Sequence, residues 1–176
     1  AFTKAMLDDV RDLCDLCLTY HPITKETMQR CTFLDPNFDP RFALVAVEDE
    51  KPIGFMFGAR RIKYPPEHVS EPKAWIKIFC VHPQYRRRGI AASLLSQLEG
   101  MLKDEGRKEL RVADFAGWHF FSGVDIRYED AIEFLLAKGF NKVGEMVDYL
   151  IDLFSFAVPR RVTKLEKLLI DDKIVF

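Results

Sequence analysis

The sequence predicts a mixed α/β fold, in which helices flank a central mixed β-sheet. Hydrophobic periodicity gives the order α-α-β-β-β-α-β-α-β, and strand–helix–strand segments imply right-handed crossovers. The chain has 176 residues, of which 48% are hydrophobic and 30% charged, a balance typical of globular proteins. This length favours one domain, or one domain plus the start of a second.

The N-terminal third is predicted to contain two helices and a hairpin. Thr3–Tyr20 has apolar residues at helical spacing, and Thr24 is a predicted cap for a second helix. Leu34–Pro40 is predicted to be a loop, since each of its two Asp-Pro pairs disfavours helix. Phe42–Val47 and Ile53–Gly58 then predict two antiparallel strands.

The middle of the chain predicts a long loop, a buried strand and a long helix. Ile62–Lys73 contains three prolines, and a loop of this length is usually functional or disordered. Ala74–Val81 is a predicted strand that ends at Pro83. Gly89–Glu105 carries one apolar stripe and ends at Gly106, which predicts a helix.

The following segment predicts a strand, an aromatic loop, a helix and a further strand. Leu110–Ala113 is the first strand, and Asp114–Arg127 is the loop. Tyr128–Lys138 is helical and ends at Gly139. Val143–Leu153 is predicted to be a long strand.

A possible domain boundary follows this strand, at Pro159. Residues 1–158 are predicted to form the main domain, and 159–176 a helix and a strand. Within that C-terminal piece Val162–Ile170 is helical and Ile174–Phe176 is strand-like. The piece either completes the main domain or begins a second one.

Charge and targeting signals exclude several classes of protein. Lys plus Arg number 26 against 27 for Asp plus Glu, which gives a net charge of −1. Such a chain has no global field to attract nucleic acid or an anionic membrane. Ala1–Asp9 meets acidic residues before any apolar run, unlike a signal peptide, and the apolar stretches fall far short of the ~20 residues that span a bilayer. We therefore expect a cytoplasmic protein with neither a nucleic-acid nor a membrane partner.

Cysteine usage agrees with a reducing compartment. Cys14 and Cys17 form a C-x-x-C pair, which could be redox-active or half of a zinc site. The pair lies within a helical pattern, and no second pair or histidine pair completes four ligands. We therefore expect reduced cysteines that pack in the core, and no metal.

The segment between the buried strand and the long helix is the most informative part of the sequence. The strand ends at Pro83, Arg86–Arg88 supply three consecutive arginines, and the helix begins at Gly89. Free N–H groups and the dipole at a helix start attract anions. The pattern matches neither a P-loop nor G-x-G-x-x-G, which leaves a diphosphate held by amides and arginines. The alternative is a solvated basic turn that only links strand to helix.

Two motifs in this region resemble those of a known superfamily. Arg86–Ala91 fits [RQ]-x-x-G-x-[GA], and Ala131–Phe140 fits a helix that leaves through a Gly-Phe pair into a strand. Together with the order of elements over residues 3–153, these motifs resemble the GNAT acetyltransferase superfamily. The resemblance implies that acetyl-CoA is the cosubstrate and that an amine attacks its acetyl carbon directly.

The resemblance also implies where the cofactor lies. Its pyrophosphate would lie on the turn and the helix start, and its pantetheine arm along the main chain of the preceding strand. The implied cofactor-binding residues are Phe79, Val81, Arg86, Arg87, Arg88, Gly89, Ile90, Ala91 and Ala92.

The sequence departs from the family at both usual proton-transfer positions. Ala74–Lys77 lacks the glutamate that the family commonly places on this strand, and Leu135 replaces the usual tyrosine. Tyr128, where the family often has Asn, is the candidate catalytic acid. Other titratable residues could instead be catalytic or merely exposed in loops, and His82 is expected to be a turn residue. Those loop residues are Glu67, His68, Glu71, Asp114, His119 and Asp125.

The aromatic loop Phe115–Asp125 has two interpretations. It either forms a satellite hydrophobic cluster or walls the acceptor pocket. A similar stretch occurs in GNAT proteins built of two tandem acetyltransferase-like domains, so this chain could hold the first such domain.

Three functions are therefore consistent with the sequence. The first is an acetyl-CoA-dependent N-acetyltransferase that acts on a small-molecule amine or an exposed amino group. The second is a catalytically silent GNAT-like module that binds CoA or supports a partner domain. The third is a structural domain, which would leave the arginine turn without a role. A homodimer or a second GNAT-like domain is the expected protein partner.

Overall fold

The computed structural model describes residues 1–147, 152, 154 and 157–171. The chain divides into two compact units, Ala1–Gly144 and Glu145–Phe176. The second unit contains α5 (Arg160–Asp171), whose described side chains are exposed. The first unit contains α1 (Leu7–Cys17), α2 (Lys25–Cys31), β1 (Ala43–Glu48), β2 (Lys51–Ala59), β3 (Lys73–Val81), α3 (Ile90–Asp104), β4 (Glu109–Val112) and α4 (Glu129–Ala137).

The four strands form one mixed sheet in the order β1-β2-β3-β4. The β1–β2 and β2–β3 pairs are antiparallel, whereas β3 and β4 pair in parallel from Lys73↔Glu109 to Ile76↔Val112. Parallel neighbours need a crossover, and α3 supplies it. The predicted mixed α/β fold is confirmed.

Helices cover both faces of the sheet, and β2 contributes to the core on each side. Phe55 and Phe57 pack in the cluster that includes α1, whereas Met56 packs in the cluster that includes α3. This division follows from the two-residue period of a strand. The two clusters give the sheet a three-layer arrangement.

Side chains of helix α3 pack directly over two positions of β2 that lack a side chain. A Cβ atom at Gly54 would lie 2.9 Å from Ile90 Cγ2, and one at Gly58 would lie 2.4 Å from Leu98 Cδ1. The first contact sets the height of the α3 N-terminus above the sheet.

The predicted helix ends are confirmed at three places. Thr24 caps α2, since its Oγ1 accepts a hydrogen bond from Thr27 N over 3.1 Å. Helix α4 ends with Phe140 N donating to Leu135 O over 3.1 Å, and Gly139 has a positive φ. Helix α3 ends in the same way.

Some predicted elements differ from the structure. The first helix is shorter than Thr3–Tyr20, since a 3-10 turn over Lys4–Met6 precedes α1.

Of the predicted strand Val143–Leu153, residues 143–147 form no strand, and 148–151 and 153 lie outside the described residues. The pattern is apolar enough for a strand, but within the described residues β4 is the last paired strand, and a strand requires a paired neighbour. The strand predicted at Ile174–Phe176 also lies outside the described residues, and the boundary at Pro159 stays a prediction.

In the part of the chain that the structure describes, no helix combines the length and apolar character needed to cross a bilayer.

Candidate functional site

A β-bulge in β3 opens the sheet. Phe57 pairs with Ile78 and the next residue of β2, Gly58, pairs with Ile76, so Lys77 is an extra residue in β3. On the other side of β3, the pairing with β4 stops at Ile76. The two parallel strands therefore separate from Lys77 onward.

The main chain of Phe79 and Val81 faces this opening. His82 N donates to Ile53 O over 2.9 Å, so the main chain of His82 points toward β2. In an antiparallel pair, the N–H and C=O groups of successive residues point alternately toward and away from the partner strand. Those of Phe79 and Val81 therefore point away from β2. Val81 O accepts a hydrogen bond from Nε of the Arg86 guanidinium over 3.2 Å. The two positions implied for the pantetheine arm thus lie at the open strand edge.

A cavity of about 500 Å³ begins at this edge. Arg88 is absent from its wall and stacks on the ring of Tyr85, with 5.0 Å between guanidinium carbon and ring centroid. The other predicted cofactor residues all line the cavity, namely Phe79, Val81, Arg86, Arg87, Gly89, Ile90, Ala91 and Ala92.

The N-terminus of α3 presents free amide groups to the cavity. Gly89 is the cap residue, with φ +82°, a left-handed conformation that glycine adopts without strain. Ser93 N donates to Gly89 O over 2.9 Å and so makes the first bond of the helix. The amides of Ile90, Ala91 and Ala92 precede that bond and have no partner within the helix. These amides and the helix dipole favour an anion at this position.

Carboxylates of α4 accompany the arginines of the turn. Arg87 Nη2 lies 2.7 Å from Asp130 Oδ1 and 3.9 Å from Glu133 Oε2, and Arg86 Nη1 lies 3.8 Å from Asp130 Oδ2. The Arg87 side chain is 77% exposed and that of Asp130 is 60% exposed. Exposed ion pairs of this kind are weak, so a diphosphate can replace the carboxylate.

Tyr128, directly before α4, also lines the cavity. Its hydroxyl accepts a hydrogen bond from Tyr20 N over 3.1 Å and lies 3.2 Å from His21 Nδ1. Burial raises the pKa of the Tyr128 phenol above its ordinary value, so the hydroxyl keeps its proton at neutral pH. Sequence reasoning missed His21, which lies 107 residues from Tyr128 in the chain, and no local pattern marks it.

Asp125 completes this side of the cavity. Arg127 Nε donates to Asp125 Oδ1 over 2.9 Å, and Arg127 Nη2 contacts Oδ2 at 2.5 Å. These bonds hold the pKa of the Asp125 carboxyl well below its ordinary value. His21 Nε2 lies 3.6 Å from Asp125 Oδ2, so His21 stands between a carboxylate and a phenol.

Residues 7–122 match the acetyltransferase (GNAT) family, which covers more than half of the chain. The chain belongs to that family. By sequence, the GNAT protein matches no curated protein. The family match confirms the resemblance inferred from the two motifs and supports acetyl-CoA as cosubstrate.

Solved structures share the fold of this GNAT protein at low sequence identity. Aminoglycoside 6'-N-acetyltransferase AAC(6')-IG from Acinetobacter haemolyticus is 17% identical, with a TM-score of 0.59 over 86% of this chain and 96% of that chain. AAC(6')-Iy in complex with a CoA-containing bisubstrate analogue is 18% identical, with a TM-score of 0.59 over 86% and 95%. The ribosomal-protein-S18-alanine N-acetyltransferase from Escherichia coli is 17% identical, with a TM-score of 0.58 over 82% and 77%.

The departure of this GNAT protein at Leu135 has a structural counterpart. Leu135 is buried, and the wall of the cavity is formed instead by Ala131 and Phe134 of the same helix. The Phe134 ring lies 5.9 Å from that of Phe79. No phenol occupies the usual position on α4, whereas Tyr128 is close to the helix start.

Of the other candidate residues in this GNAT protein, the structure brings only Asp125 to the cavity wall. Asp114 Oδ1 accepts the Trp75 indole N–H over 2.8 Å. His68 Nδ1 and Glu71 Oε1 lie 2.5 Å apart in the long loop, where Glu67 is exposed.

Two further histidines also have local roles. His82 accepts a hydrogen bond from Gln84 N over 3.3 Å and caps a 3-10 turn, so the interpretation as a turn residue is confirmed. The main-chain carbonyl of His119 accepts the Cys31 thiol over 3.3 Å, and its side chain is absent from the cavity wall.

The two ends of the aromatic loop lie in different surroundings, and its role as the wall of an acceptor pocket stays a prediction. Phe115 is completely buried and packs against Trp75, with 5.2 Å between ring centroids. Further along, Phe121, Gly123 and Val124 line the cavity. One end of the loop is therefore core, and the other end is cavity wall.

The C-x-x-C pair is part of the core, as expected. Cys14 Sγ lies 3.8 Å from Cys80 Sγ, and all four cysteines are buried and free. The Cys17 thiol also interacts with Cys80, and this interaction together with burial raises the pKa of Cys17 above its ordinary value. Within the described ranges, no cluster of three or more His, Cys, Asp or Glu side chains could hold a metal ion.

Proposed function

We propose that this GNAT protein is an acetyl-CoA-dependent N-acetyltransferase that moves an acetyl group directly to an amine, on a small molecule or as an exposed amino group. One observation carries the proposal. The open edge of β3 leads to the free amides of α3, and both line one cavity. A thioester arm along the edge and a diphosphate at the helix start would fit this surface.

The proposed contacts of acetyl-CoA follow from the geometry. The diphosphate lies on the free amides of Ile90, Ala91 and Ala92, with Arg86 and Arg87 beside it. The pantetheine arm bonds to the main chain of Phe79 and Val81, which faces the opening. An N–H group at that edge polarises the thioester carbonyl and stabilises the negative charge that develops on its oxygen.

The chemical step moves one proton from nitrogen to sulfur. An alkyl amine with a pKa of ~10.4 is protonated at pH 7, and freeing its lone pair costs about 4.6 kcal/mol. After the ammonium has lost its proton to solvent, the neutral amine forms the C–N bond, the C–S bond breaks, and the sulfur takes the hydroxyl proton of Tyr128. The Tyr128 oxygen then recovers a proton from the newly acylated nitrogen.

The alternative proposal is a silent module that binds CoA or supports a partner domain. The absence of a carboxylate at Ala74–Lys77 and the replacement at Leu135 favour it. The pairing of Arg87 with Asp130 also favours it, because the arginine already has an anionic partner.

We also propose a reducing compartment and a protein partner. Four free, buried thiols support a reducing compartment such as the cytoplasm. A second GNAT-like domain that begins at 159, or a homodimer, stays a prediction.

Calorimetry with acetyl-CoA and CoA tests the proposal. We expect micromolar binding of acetyl-CoA, after which CoA release is measured with spermidine, an aminoglycoside and a peptide with a free N-terminus. Binding without release for any amine would favour the silent module. No binding at millimolar acetyl-CoA would contradict the transferase and the CoA-binding module, and would leave only a module that supports a partner domain.

A further inference from the structure

We infer that His21 is a positioning residue that holds the hydroxyl proton of Tyr128 during acetyl transfer. The inference deepens the proposed function and rests on it. It identifies a residue in the loop between α1 and α2 as part of the transfer site.

The hydrogen bonds around Tyr128 determine the direction of its proton. Tyr20 N is an amide donor, so its 3.1 Å contact uses the Tyr128 oxygen as an acceptor. In the arrangement that we infer, the hydroxyl proton points to the other neighbour, His21 Nδ1, at 3.2 Å. His21 Nδ1 then accepts, and a neutral imidazole that accepts at Nδ1 carries its hydrogen on Nε2.

The other side of the imidazole agrees with this tautomer. Nε2 faces the Asp125 carboxylate, with 3.6 Å between Nε2 and Oδ2. Two bonds from Arg127 fix that carboxylate in place. A hydrogen on Nε2 therefore points toward a negative charge, whereas a lone pair there would be repelled.

Neighbouring rings keep the imidazole in this orientation. The His21 ring centroid lies 5.0 Å from that of Phe121 and 5.8 Å from that of Tyr128. The His21 side chain is 33% exposed, and it lines the same cavity as Phe79 and Val81. Two segments of the polypeptide thus meet at the cavity: the loop after α1 supplies His21, and the turn before α4 supplies both Asp125 and Tyr128.

This arrangement keeps the proton on Tyr128 until the proposed step uses it. When the C–S bond breaks, the O–H turns from His21 Nδ1 to the sulfur, which takes the Tyr128 proton, and Tyr20 N–H stabilises the charged oxygen that remains. The proton from the acylated nitrogen returns to that oxygen, and His21 Nδ1 accepts the O–H again. His21 gains and loses no proton in this cycle, so its effect acts through Tyr128.

The tautomer can be tested without knowledge of the acceptor. The protein has four histidines, and nitrogen NMR of protein labelled with 15N-histidine separates the two tautomers. His21→Asn identifies the His21 signals. We expect hydrogen on Nε2, and we expect Tyr128→Phe to move the Nδ1 signal toward that of a nitrogen without a donor. Hydrogen on Nδ1, or an Nδ1 signal that Tyr128→Phe leaves unchanged, would overturn the inference.

Kinetics with the amine that gives the fastest CoA release then test the role. We expect His21→Leu to lower kcat at least tenfold, with little change in the Kd of acetyl-CoA. His21→Asn should recover most of this loss, because its amide oxygen can accept where Nδ1 does. His21→Leu in a Tyr128→Phe background should cause no further loss of kcat, since both changes remove the same interaction.

A matched control and two opposing outcomes complete the test. His119→Leu removes a part-buried imidazole outside the cavity wall and should keep the wild-type kcat. Wild-type kcat in His21→Leu, or losses that add in the double variant, would overturn the inference. If wild-type protein binds acetyl-CoA but transfers to no amine, the proposed function fails instead, whereas the NMR result still reports the His21 geometry.

Discussion

Lys77 Nζ donates a hydrogen bond to Asp35 Oδ2 over 2.7 Å, and both side chains are completely buried. The ammonium also donates to Cys31 O over 2.5 Å and lies 4.9 Å from the ring centroids of Phe57 and Phe115. Burial lowers the pKa of Lys77, and the Asp35 carboxylate opposes that effect. Because Lys77 is the bulge residue, this pair ties the segment after α2 to the point where β3 and β4 separate.

Removing one partner of this pair should destabilise the fold. In Lys77→Met the Asp35 carboxylate stays buried without its cation, and we expect a loss of about 3–5 kcal/mol in the free energy of unfolding. The measurement is urea unfolding followed by circular dichroism. The double variant Lys77→Met/Asp35→Leu should regain much of the loss, since no lone charge remains. A loss below about 0.5 kcal/mol in the single variant would contradict this account.

A side chain at Gly89 should weaken cofactor binding. Gly89→Glu places a negative charge beside the amides of α3 and forces a non-glycine residue to φ +82°. We expect the Kd of acetyl-CoA to rise at least tenfold in calorimetry. Gly106→Glu is the control, because Gly106 also has a positive φ, +75°, and lies outside the cavity wall. Equal affinity in both folded variants would refute the anion site at α3.

Loss of the Asp130 charge should strengthen cofactor binding. Asp130 pairs with Arg87, so a bound diphosphate must displace a carboxylate. An exposed pair contributes about 0.5–1 kcal/mol, so Asp130→Asn should lower the Kd of acetyl-CoA roughly two- to fivefold. Glu129→Gln removes a charge from the same helical turn but from outside the cavity wall, and should have a smaller effect. Weaker binding in Asp130→Asn would show that this carboxylate assists the cofactor.

The pH dependence of Asp125 should follow its bonds to Arg127. The Arg127 guanidinium lowers the pKa of the Asp125 carboxyl in the folded protein. The stability that this contributes is therefore complete above the unfolded pKa of about 3.9, and is lost as the pH falls through the lower folded value. Carbon NMR of the carboxyl should show Asp125 still ionised at pH 4, whereas in Arg127→Met it should be partly protonated there. An identical titration in both proteins would exclude Arg127 as the cause.

Consecutive patterns were sufficient to predict the end of β3, the arginine turn and the start of α3. A strand that stops at Pro83, an arginine turn and a helix that starts at Gly89 are neighbours in the sequence, so local rules predict them together. Phe79 and Val81 were assigned by position relative to that turn, and the structure places both at the open edge. The order of elements up to Gly139 was predictable for the same reason.

Contacts between residues that are far apart in the sequence could not be predicted in this way. His21 and Tyr128 are 107 positions apart, and Lys77 and Asp35 are 42 positions apart. Their types carry no local signal, since a histidine in a loop and a lysine in a strand are normally solvated. The folded chain brings each pair within hydrogen-bonding distance.

The sequence by itself determined the mixed fold, the arginine turn and the helix start, because hydrophobic period, proline and glycine act over a few residues. Tertiary structure alone decided that β3 leaves β4 at Lys77, that Asp130 neutralises Arg87, and that His21 meets Tyr128. Such contacts depend on the packing of helices against both faces of the sheet. Packing is a property of the whole core, and it sets distances that no short stretch of sequence contains.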